Sequence, residues 1–469
     1  MAIVIWPFHI LKKDKRYQKM GLKKNQIIND LTKGPVFRKL LLFALPIMLA
    51  TFLQSVYGIV DMIIVGQYLG SVSLSAVSVG GNLMNLFSFV AMGLSTGGNV
   101  VIGQFFGAGD DRNRKESTST TFAFLVIVGI CFALIIVILA RPFMILMQAP
   151  ALGEAALYLR ICGVGSIFIF GYNALCAIIR AVGDSKTPLF IIMAAAVVNV
   201  GLDFLLIGVF HLGVEGAAIA TVASQFISFL IALIHVLKAA HFFGFSLKNL
   251  RIYTDKLKMV LRIGIPSALV FCINGITHMV NISLINTFGV DASAGCGSAI
   301  KISDLCIGFI TSMMNSSATM CAQCIGAGKY DRVKQTFRSC LLIDGCIAAC
   351  LAALMFFASE SLIRLFNTEP AVVEAGAYYL RIVAFQVLIY VIFTSLHSVA
   401  TGAGDARLVM FNSILGMALP RVLLSFLLYH LVGLGGMALS CVLAPLCAVP
   451  AGLWYYLKRK WNHRLIDTK

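Results

Sequence analysis

Twelve long apolar runs constrain the fold of this chain more than any other feature of its sequence. From Pro35 onward, runs of about 20 or more mostly apolar residues alternate with short polar breaks, which is the pattern of membrane-spanning helices. Of the 469 residues, 59% are hydrophobic and only 12% are charged, whereas an ordinary soluble domain has about 25% charged residues. This composition argues against a soluble enzyme, a disordered protein and a nucleic-acid-binding protein.

The predicted fold is an all-α polytopic membrane protein, because only helices or closed barrels satisfy their backbone groups in lipid. The alternating pattern of barrel strands is absent from the sequence. The twelve predicted spans cover residues 39–66, 76–104, 117–140, 153–178, 188–209, 216–238, 260–286, 294–324, 335–358, 373–400, 408–430 and 435–457.

The basic residues predict the orientation, since Lys and Arg accumulate in cytoplasmic loops. With the N-terminus inside, the tails and alternate loops on that side hold 31 of the 37 Lys and Arg. We therefore expect a multi-pass protein of the cell (plasma) membrane with both termini cytoplasmic. Residues 1–35 are predicted to be a basic tail near lipid headgroups rather than a secretory signal, and Met1 and Met20 both stay open as the start.

The sequence repeats itself once. GQFFGAG (103–109) matches AQCIGAG (322–328), and AVGD (181–184) matches GAGD (402–405). Because each repeat has six spans, both begin on the same side, as in transporters with parallel repeats. We predict two six-helix lobes related by a pseudo-two-fold axis along the membrane normal. The predicted segments are the tail (1–35), the N-lobe (36–238), a cytoplasmic linker (239–259), the C-lobe (260–458) and a C-terminal tail (459–469).

Ionisable residues inside the spans are few, and such residues are candidates for function. Asp61 on span 1, Asp203 on span 5 and Thr221 on span 6 lie at a similar depth, and Asn199 precedes Asp203 by four residues on one helix face. These oxygen groups could hold Na⁺, or one carboxyl could take up a proton. The alternative is that they only tie helices together.

The C-lobe lacks both carboxylates. Its matching residues are Asn281, Pro420, Leu424 and Cys441. A purely structural acid pair would have less reason to be confined to one lobe, so the difference favours a functional site in the N-lobe.

Other polar groups have more ordinary explanations. Lys301 and Asp304 are spaced i, i+3 on span 8 and are expected to neutralise one another. His278 is expected to contact a neighbouring helix rather than to carry a proton, and Asp344 and Arg421 are possible partners across helices. No nucleotide motif, catalytic pair or metal cluster is recognisable, so neither an enzyme nor a cofactor is expected.

The segment LTKGPVFRKLLLFALPIMLATFLQSVYGIVDMIIVGQYLGSVSLSAVSV (31–79) resembles the opening of the MATE family, the multidrug and toxic compound extrusion transporters. RAVGDSKTPLF (180–190) and NVGLDFLLIGVFHLGVEGAAIAT (199–221) fit the same family. The resemblance implies a monomeric antiporter that exchanges H⁺ or Na⁺ for amphipathic, often cationic organic compounds.

The resemblance also assigns roles to individual residues. Its coupling site corresponds to Asp61, Asn199, Asp203 and Thr221, and its helix-bending proline to Pro46. Its substrate-cavity positions correspond to Gln54, Tyr57 and Asn173. One branch of the family has an acidic residue in span 7, where this chain has His278, so a cation site in the C-lobe is not expected.

Two alternatives are weighed against the antiporter. A flippase for a lipid-linked sugar should line its cavity with several basic side chains to hold a diphosphate, and here only Lys301 and Arg421 lie well inside spans. A membrane-embedded enzyme or receptor would need a reactive cluster or an extramembrane domain. Small-molecule substrates and membrane lipids are therefore the expected partners, and nucleic acid is not.

Overall fold

A computed structural model describes residues 30–149 and 151–467 of the chain. These residues form helices and turns and contain no strand. Twelve helices are long and apolar enough to cross a membrane, in agreement with the twelve predicted spans. In chain order they are α1 (Val36–Gly70), α2 (Val72–Ala108), α3 (Asp111–Leu146), α4 (Leu152–Ala181), α5 (Lys186–Val209), α6 (Gly213–Lys238), α7 (Thr254–Asn286), α8 (Val290–Gly326), α9 (Tyr330–Phe357), α10 (Pro370–Ala403), α11 (Ala406–Val432) and α12 (Leu434–Leu457). The predicted basic tail falls largely on residues 1–29, outside the described part.

Positive-φ glycines mark the turns between helices and repeat along the chain. The pairs are Gly70 and Gly289, Gly109 and Gly328, Gly183 and Gly404, and Gly213 and Gly433, each separated by 219 to 221 residues. Residues with a Cβ rarely adopt such a φ, so glycine is the residue that allows the chain to turn there. The duplication seen in the sequence is therefore also a duplication of backbone geometry.

The helices group into two compact units. Unit 1 contains Leu53–Val260 and the described part of Met1–Lys33, and unit 2 contains Gly34–Phe52 and Leu261–Lys469. Both boundaries fall inside helices, the first within α1 and the second near the start of α7. The first half of α1 therefore packs with the second repeat rather than with its own.

One central helix organises each unit. In unit 1, α4 packs against α3 and α6, and in unit 2, α10 packs against α8, α9 and α12. In both α4 and α10, 67% of the membrane-spanning window is buried. Small residues make this possible: a Cβ on Gly376 of α10 would lie 2.7 Å from the carbonyl oxygen of Gly295 on α8. Close packing of small residues is a common way of joining helices in lipid, where no hydrophobic effect drives them together.

Candidate functional site

Asp61 on α1 and Asp203 on α5 meet inside unit 1. Their carboxyl groups lie close enough to interact directly, as hydrogen-bonding partners when one of them holds a proton. Asp203 is 0% exposed, and neither of its oxygens accepts a hydrogen bond from a donor in the described residues. One carboxyl oxygen of Asp61 is equally buried and unpartnered. Two carboxylates in such contact repel each other unless a proton or a cation lies between them.

Asn199 precedes Asp203 on α5, and Thr221 on α6 interacts with Tyr158, which is close to Asp61. Asn199 is one helical turn before Asp203, is 3% exposed, and has an Oδ1 that accepts no hydrogen bond from a described donor. Thr221 on α6 donates its hydroxyl to the carbonyl oxygen of Ala217 at 2.9 Å, which leaves its lone pairs available. We call Asp61, Asn199, Asp203 and Thr221 the acid cluster. Its carboxyl, amide and hydroxyl oxygens are the donor types that suit a hard cation such as Na⁺.

Sequence analysis missed Tyr158 on α4. Its hydroxyl interacts with Thr221 and with Cys162, and so links α4 and α6 beside the acid pair. The ring lies against α2 at Gly80, where an added Cβ would be 2.6 Å from the ring. The sequence has this tyrosine in both repeats, within the similar segments EAALYLRI (154–161) and EAGAYYLRI (374–382). The similarity indicates duplication, but it gives no indication that Tyr158 faces the acid pair.

The backbone around the acid cluster departs from α-helical geometry. α5 is α-helical from Lys186 to Asp203 and becomes π-helical over Phe204–Val209, directly after the buried carboxyl. In unit 2, Ile414–Ala418 is π-helical just before Arg421. Single π-helical turns are frequent at functional sites, where the extra residue shifts the helix face that follows.

The remaining residues assigned by the family resemblance lie on the expected helices. Tyr57 interacts through its hydroxyl with Gln54, one turn earlier on α1. Asn173 on α4 donates its amide to the carbonyl oxygen of Ile169 at 2.9 Å. Pro46 lies inside α1, in the segment that packs with unit 2. The substrate and bending roles of these residues stay predictions.

The matching positions of unit 2 also meet, but with different chemistry. Asn281 on α7 donates its amide to the hydroxyl of Tyr379 and to the sulfur of Cys441, each at 3.4 Å. Arg421 on α11 donates Nη2 to the same sulfur at 3.2 Å. A guanidinium therefore lies in unit 2 beside the counterparts of the residues that carry carboxylates in unit 1. Pro420, the counterpart of Asn199, directly precedes it in the chain.

The expected pairing of Lys301 with Asp304 is wrong, and the possible pairing of Asp344 with Arg421 is not formed. Lys301 makes no ion pair within the described ranges, and the Asp304 carboxylate lies instead 3.7 Å from Nε2 of His278 on α7. The i, i+3 spacing on α8 allows Lys301 to pair with Asp304, but His278 on the neighbouring helix α7 is closer to the Asp304 carboxylate. Asp344 is fully buried beside Cys340, whose thiol lies 3.8 Å from its carboxylate, and is not paired with Arg421.

Metal-ligand clusters built only from His, Cys, Asp and Glu are absent from the described residues. The predicted sodium ligands include an amide and a hydroxyl and therefore do not form such a cluster. Cys321 and Cys324, which have the spacing of a redox or zinc pair, are both buried on α8 among the apolar residues of unit 2.

Comparisons with known proteins agree with one another. The MatE family profile matches residues 46–205 and 266–427, one segment in each repeat. The chain is 31% identical over 369 residues to the Probable multidrug resistance protein YoeA of Bacillus subtilis, covering 76% of this chain and 80% of that one. It is 26% identical over 459 residues to the Multidrug export protein MepA of Staphylococcus aureus, covering 95% and 98%.

A solved structure gives the same result for the fold. An outward-facing multidrug resistance MATE family transporter of the MOP superfamily superposes with a TM-score of 0.88 and 21% identity, covering 94% of this chain and 99% of that one. Twelve membrane helices, a duplicated six-helix pattern and the two-segment profile match lead to one conclusion: this chain belongs to the MatE family of transporters.

Proposed function

We propose that this protein is a cation-coupled antiporter that exports amphipathic, often cationic organic compounds by alternating access, with H⁺ or Na⁺ entering in exchange. The names of its relatives support drug efflux. The observation that carries the coupling proposal is the contact between the carboxyl groups of Asp61 and Asp203, buried with oxygens that no described donor satisfies. Such a pair gains a favourable interaction when it binds a proton or a cation.

The acid cluster gives the cation a means of driving transport. A ligand shifts a conformational equilibrium only by its different affinity for the two states. Binding at Asp61 and Asp203 removes the repulsion between their carboxylates and so favours whichever state brings them together. Drug and cation then compete through conformation and need not contact the same atoms.

Pro46 supplies a flexible point in α1 for this change. It removes one backbone hydrogen bond fifteen residues before Asp61. We propose that α1 bends there when the acid cluster is neutralised. Pro46→Ala should then leave drug binding measurable while weakening the release of bound drug on acidification or Na⁺ addition; release equal to that of the parent would contradict the bending proposal.

The function is tested by substrate efflux from proteoliposomes under separately imposed H⁺ and Na⁺ gradients. Asp203→Asn should abolish gradient-driven transport, because it removes the carboxyl that accepts the proton or contacts the cation. Asn281→Ala, the matched change in the second repeat, should leave most coupling intact. Equal loss in both variants would contradict a coupling site in unit 1, and transport by the parent with no gradient dependence would contradict antiport.

The flippase alternative has weaker support. It calls for several basic side chains around a diphosphate. The cavity that contains Arg421 in unit 2 is lined, among the described residues, by one guanidinium and by no lysine.

A further inference from the structure

A small cavity lies inside unit 2, at the end of the Arg421 side chain. It has a volume of about 30 Å³, and its wall is built from α7, α8, α10, α11 and α12. The polar groups that line it are those of His278, Ser303, Asp304, Tyr379, Gln386 and Arg421. We call it the guanidinium cavity.

Arg421 has more donors in this cavity than the protein satisfies. A guanidinium carries five N–H groups, and here Nη2 reaches only the thiol of Cys441 at 3.2 Å, which is a weak acceptor. Its Nε is buried and has no hydrogen-bond partner in the described part of the chain. No carboxylate of the described residues lies within 4.0 Å of its nitrogens, since the nearby Asp304 is instead 3.7 Å from His278.

Such a group is costly unless something else compensates it. Arg421 is partly buried, and the Asp304 carboxylate attracts it without forming an ion pair, so the guanidinium recovers only part of the hydration that it loses. Three other groups that line the cavity can also donate hydrogen bonds: the hydroxyl of Tyr379, the amide of Gln386 and the hydroxyl of Ser303. The cavity therefore offers donors and one fixed positive charge, with its single carboxylate engaged by a histidine.

The size of the cavity limits what can fill it. One water needs about 10–15 Å³ by the same measure, so about 30 Å³ accommodates two waters, one halide ion or the two oxygens of a carboxylate. The planar fork of arginine matches a carboxylate with two parallel hydrogen bonds. A diphosphate would have to extend out of this volume.

We infer that the guanidinium cavity is a binding site for a small monovalent anion, either free chloride or the carboxylate of an organic compound, held by Arg421. It is distinct from the acid cluster and goes beyond the proposed export function. The inference stands or falls independently of whether Asp61 and Asp203 couple transport.

The test is the thermal unfolding of the purified full-length protein in detergent, titrated with sodium chloride or sodium acetate. Sodium sulfate at the same Na⁺ concentration is the reference, so that Na⁺ binding at the acid cluster contributes equally in every arm. A ligand that binds only the folded state raises the unfolding temperature in a saturable way. The parent should gain about 3 °C or more with chloride, with acetate or with both, and the arm that responds identifies whether the site takes the halide, the carboxylate or either one.

Two variants should remove this response. Arg421→Met deletes the charge, and Asn281→Asp places an internal carboxylate beside the Cys441 sulfur that Arg421 already contacts. In Asn281→Asp the new carboxylate pairs with the Arg421 guanidinium and competes with an added anion. The test therefore remains decisive if Arg421→Met does not fold. Lys301→Gln is the matched control, because it removes one exposed positive charge from α8 and should keep the full response.

Three results would overturn the inference. The first is a parent that shows no saturable response to either monovalent anion. The second is a saturable response to sulfate as large as the response to chloride and acetate, because the general stabilisation by excluded sulfate does not saturate. The third is an unchanged response in both Arg421→Met and Asn281→Asp.

Discussion

The two repeats share one backbone design but place different charges around it, carboxyl groups in unit 1 and a guanidinium in unit 2. Tyr158 and Tyr379 match, and each contacts the side chain at the next matching position, Thr221 in unit 1 and Cys441 in unit 2. Beside this shared frame, unit 1 has Asp61 and Asp203 where unit 2 has Asn281 and Leu424. The duplication kept the scaffold of glycine turns and central helices. It did not keep the charged side chains beside that scaffold.

Charge therefore distinguishes two sites whose surroundings are otherwise similar. In unit 1 the buried orphan atoms are carboxyl oxygens, which attract a proton or a cation. In unit 2 the orphan atoms are the neutral Oδ1 of Asn281, the counterpart of Asp61, and the Nε of Arg421, whose guanidinium attracts an anion. A protein with this asymmetry can respond to a cation in one repeat without responding equally in the other.

The largest expected effect comes from replacing Asp203 of unit 1 with leucine, the residue at the matching position 424 of unit 2. Asp203→Leu should reduce gradient-driven efflux at least about 5-fold, since coupling energies of 1–3 kcal/mol correspond to factors of 5–150. The thermal unfolding temperature should not fall, because the carboxyl has no described donor and its burial is unfavourable. Efflux in proteoliposomes and unfolding in detergent measure the two effects.

A clear loss of stability in Asp203→Leu would change this comparison. It would mean that the acid cluster holds helices together and that the difference between the repeats is structural. Retention of both stability and coupling would show that Asp203 is dispensable and that the coupling group lies elsewhere.

The next largest effect is a loss of folding stability, and it tests the shared scaffold rather than the charged side chains. Gly216 and Gly436 occupy the same position of the two repeats. A Cβ on Gly436 would lie 2.2 Å from the carbonyl oxygen of Leu428, whereas on Gly216 the nearest atom is a side-chain carbon of Leu212 at 3.2 Å. Gly436→Ala should cost about 1–3 kcal/mol of folding free energy.

Gly216→Ala is the matched control and should cost clearly less, because the neighbouring side-chain atoms can give by a few tenths of an ångström. Thermal unfolding of both variants gives the comparison. If the two substitutions destabilise the protein equally, the repeats are packed more alike at this turn than the structure indicates.

The smallest effect concerns the matching turns that carry Asp184 and Asp405. In unit 1, burial of Asp184 acts to raise its pKa, but hydrogen bonds from His235 and Thr187 outweigh it and lower the pKa below the usual value. In unit 2, the hydrogen bond with Asp405 raises the pKa of His463, and the two side chains lie 3.5 Å apart. The two turns therefore depend on pH in opposite senses.

For Asp184, the stabilisation is present above the unfolded-state pKa and is lost as the pH falls through the lowered pKa of the folded state. For His463, it is present below an unfolded pKa of about 6.5 and is lost as the pH rises through the raised folded pKa. His463→Gln should thus lower the unfolding temperature by about 1–2 °C at pH 6 and by less at pH 8.5.

Asp184→Asn should show the reverse trend, with its cost present at neutral pH and shrinking in acid. Thermal unfolding from pH 4 to pH 8.5 measures both variants. A His463→Gln effect that is constant with pH would show that this histidine stabilises its turn without becoming charged.

The helices were predictable because each is encoded locally. Length and hydropathy fix the spans, and glycines such as Gly109 and Gly328 fix the turns between them. Asp61 and Asp203 were also predictable as neighbours, since topology places both at one depth and an isolated buried acid is unfavourable. Each of these predictions requires only the position of a residue along its own helix.

Contacts that depend on how a helix is rotated were not predictable. His278 lies against Asp304, and Tyr158 against Thr221, because the faces of adjacent helices are turned toward each other. A sequence gives the spacing of side chains around one helix but not the angle at which the next helix meets it. The cavity at Arg421 is wholly of this kind, since five helices form its wall.

The boundary between the two units inside α1 bears on how the chain is made. Gly34–Phe52 leaves the ribosome more than 200 residues ahead of Leu261, where the rest of unit 2 begins. At 5–20 residues per second, this segment waits roughly 10–40 s for the helices against which it packs. During that time its apolar side chains face lipid or the insertion machinery, and a pause in translation between the repeats lengthens the exposure. Biogenesis of the second repeat therefore depends on the earliest helix staying available.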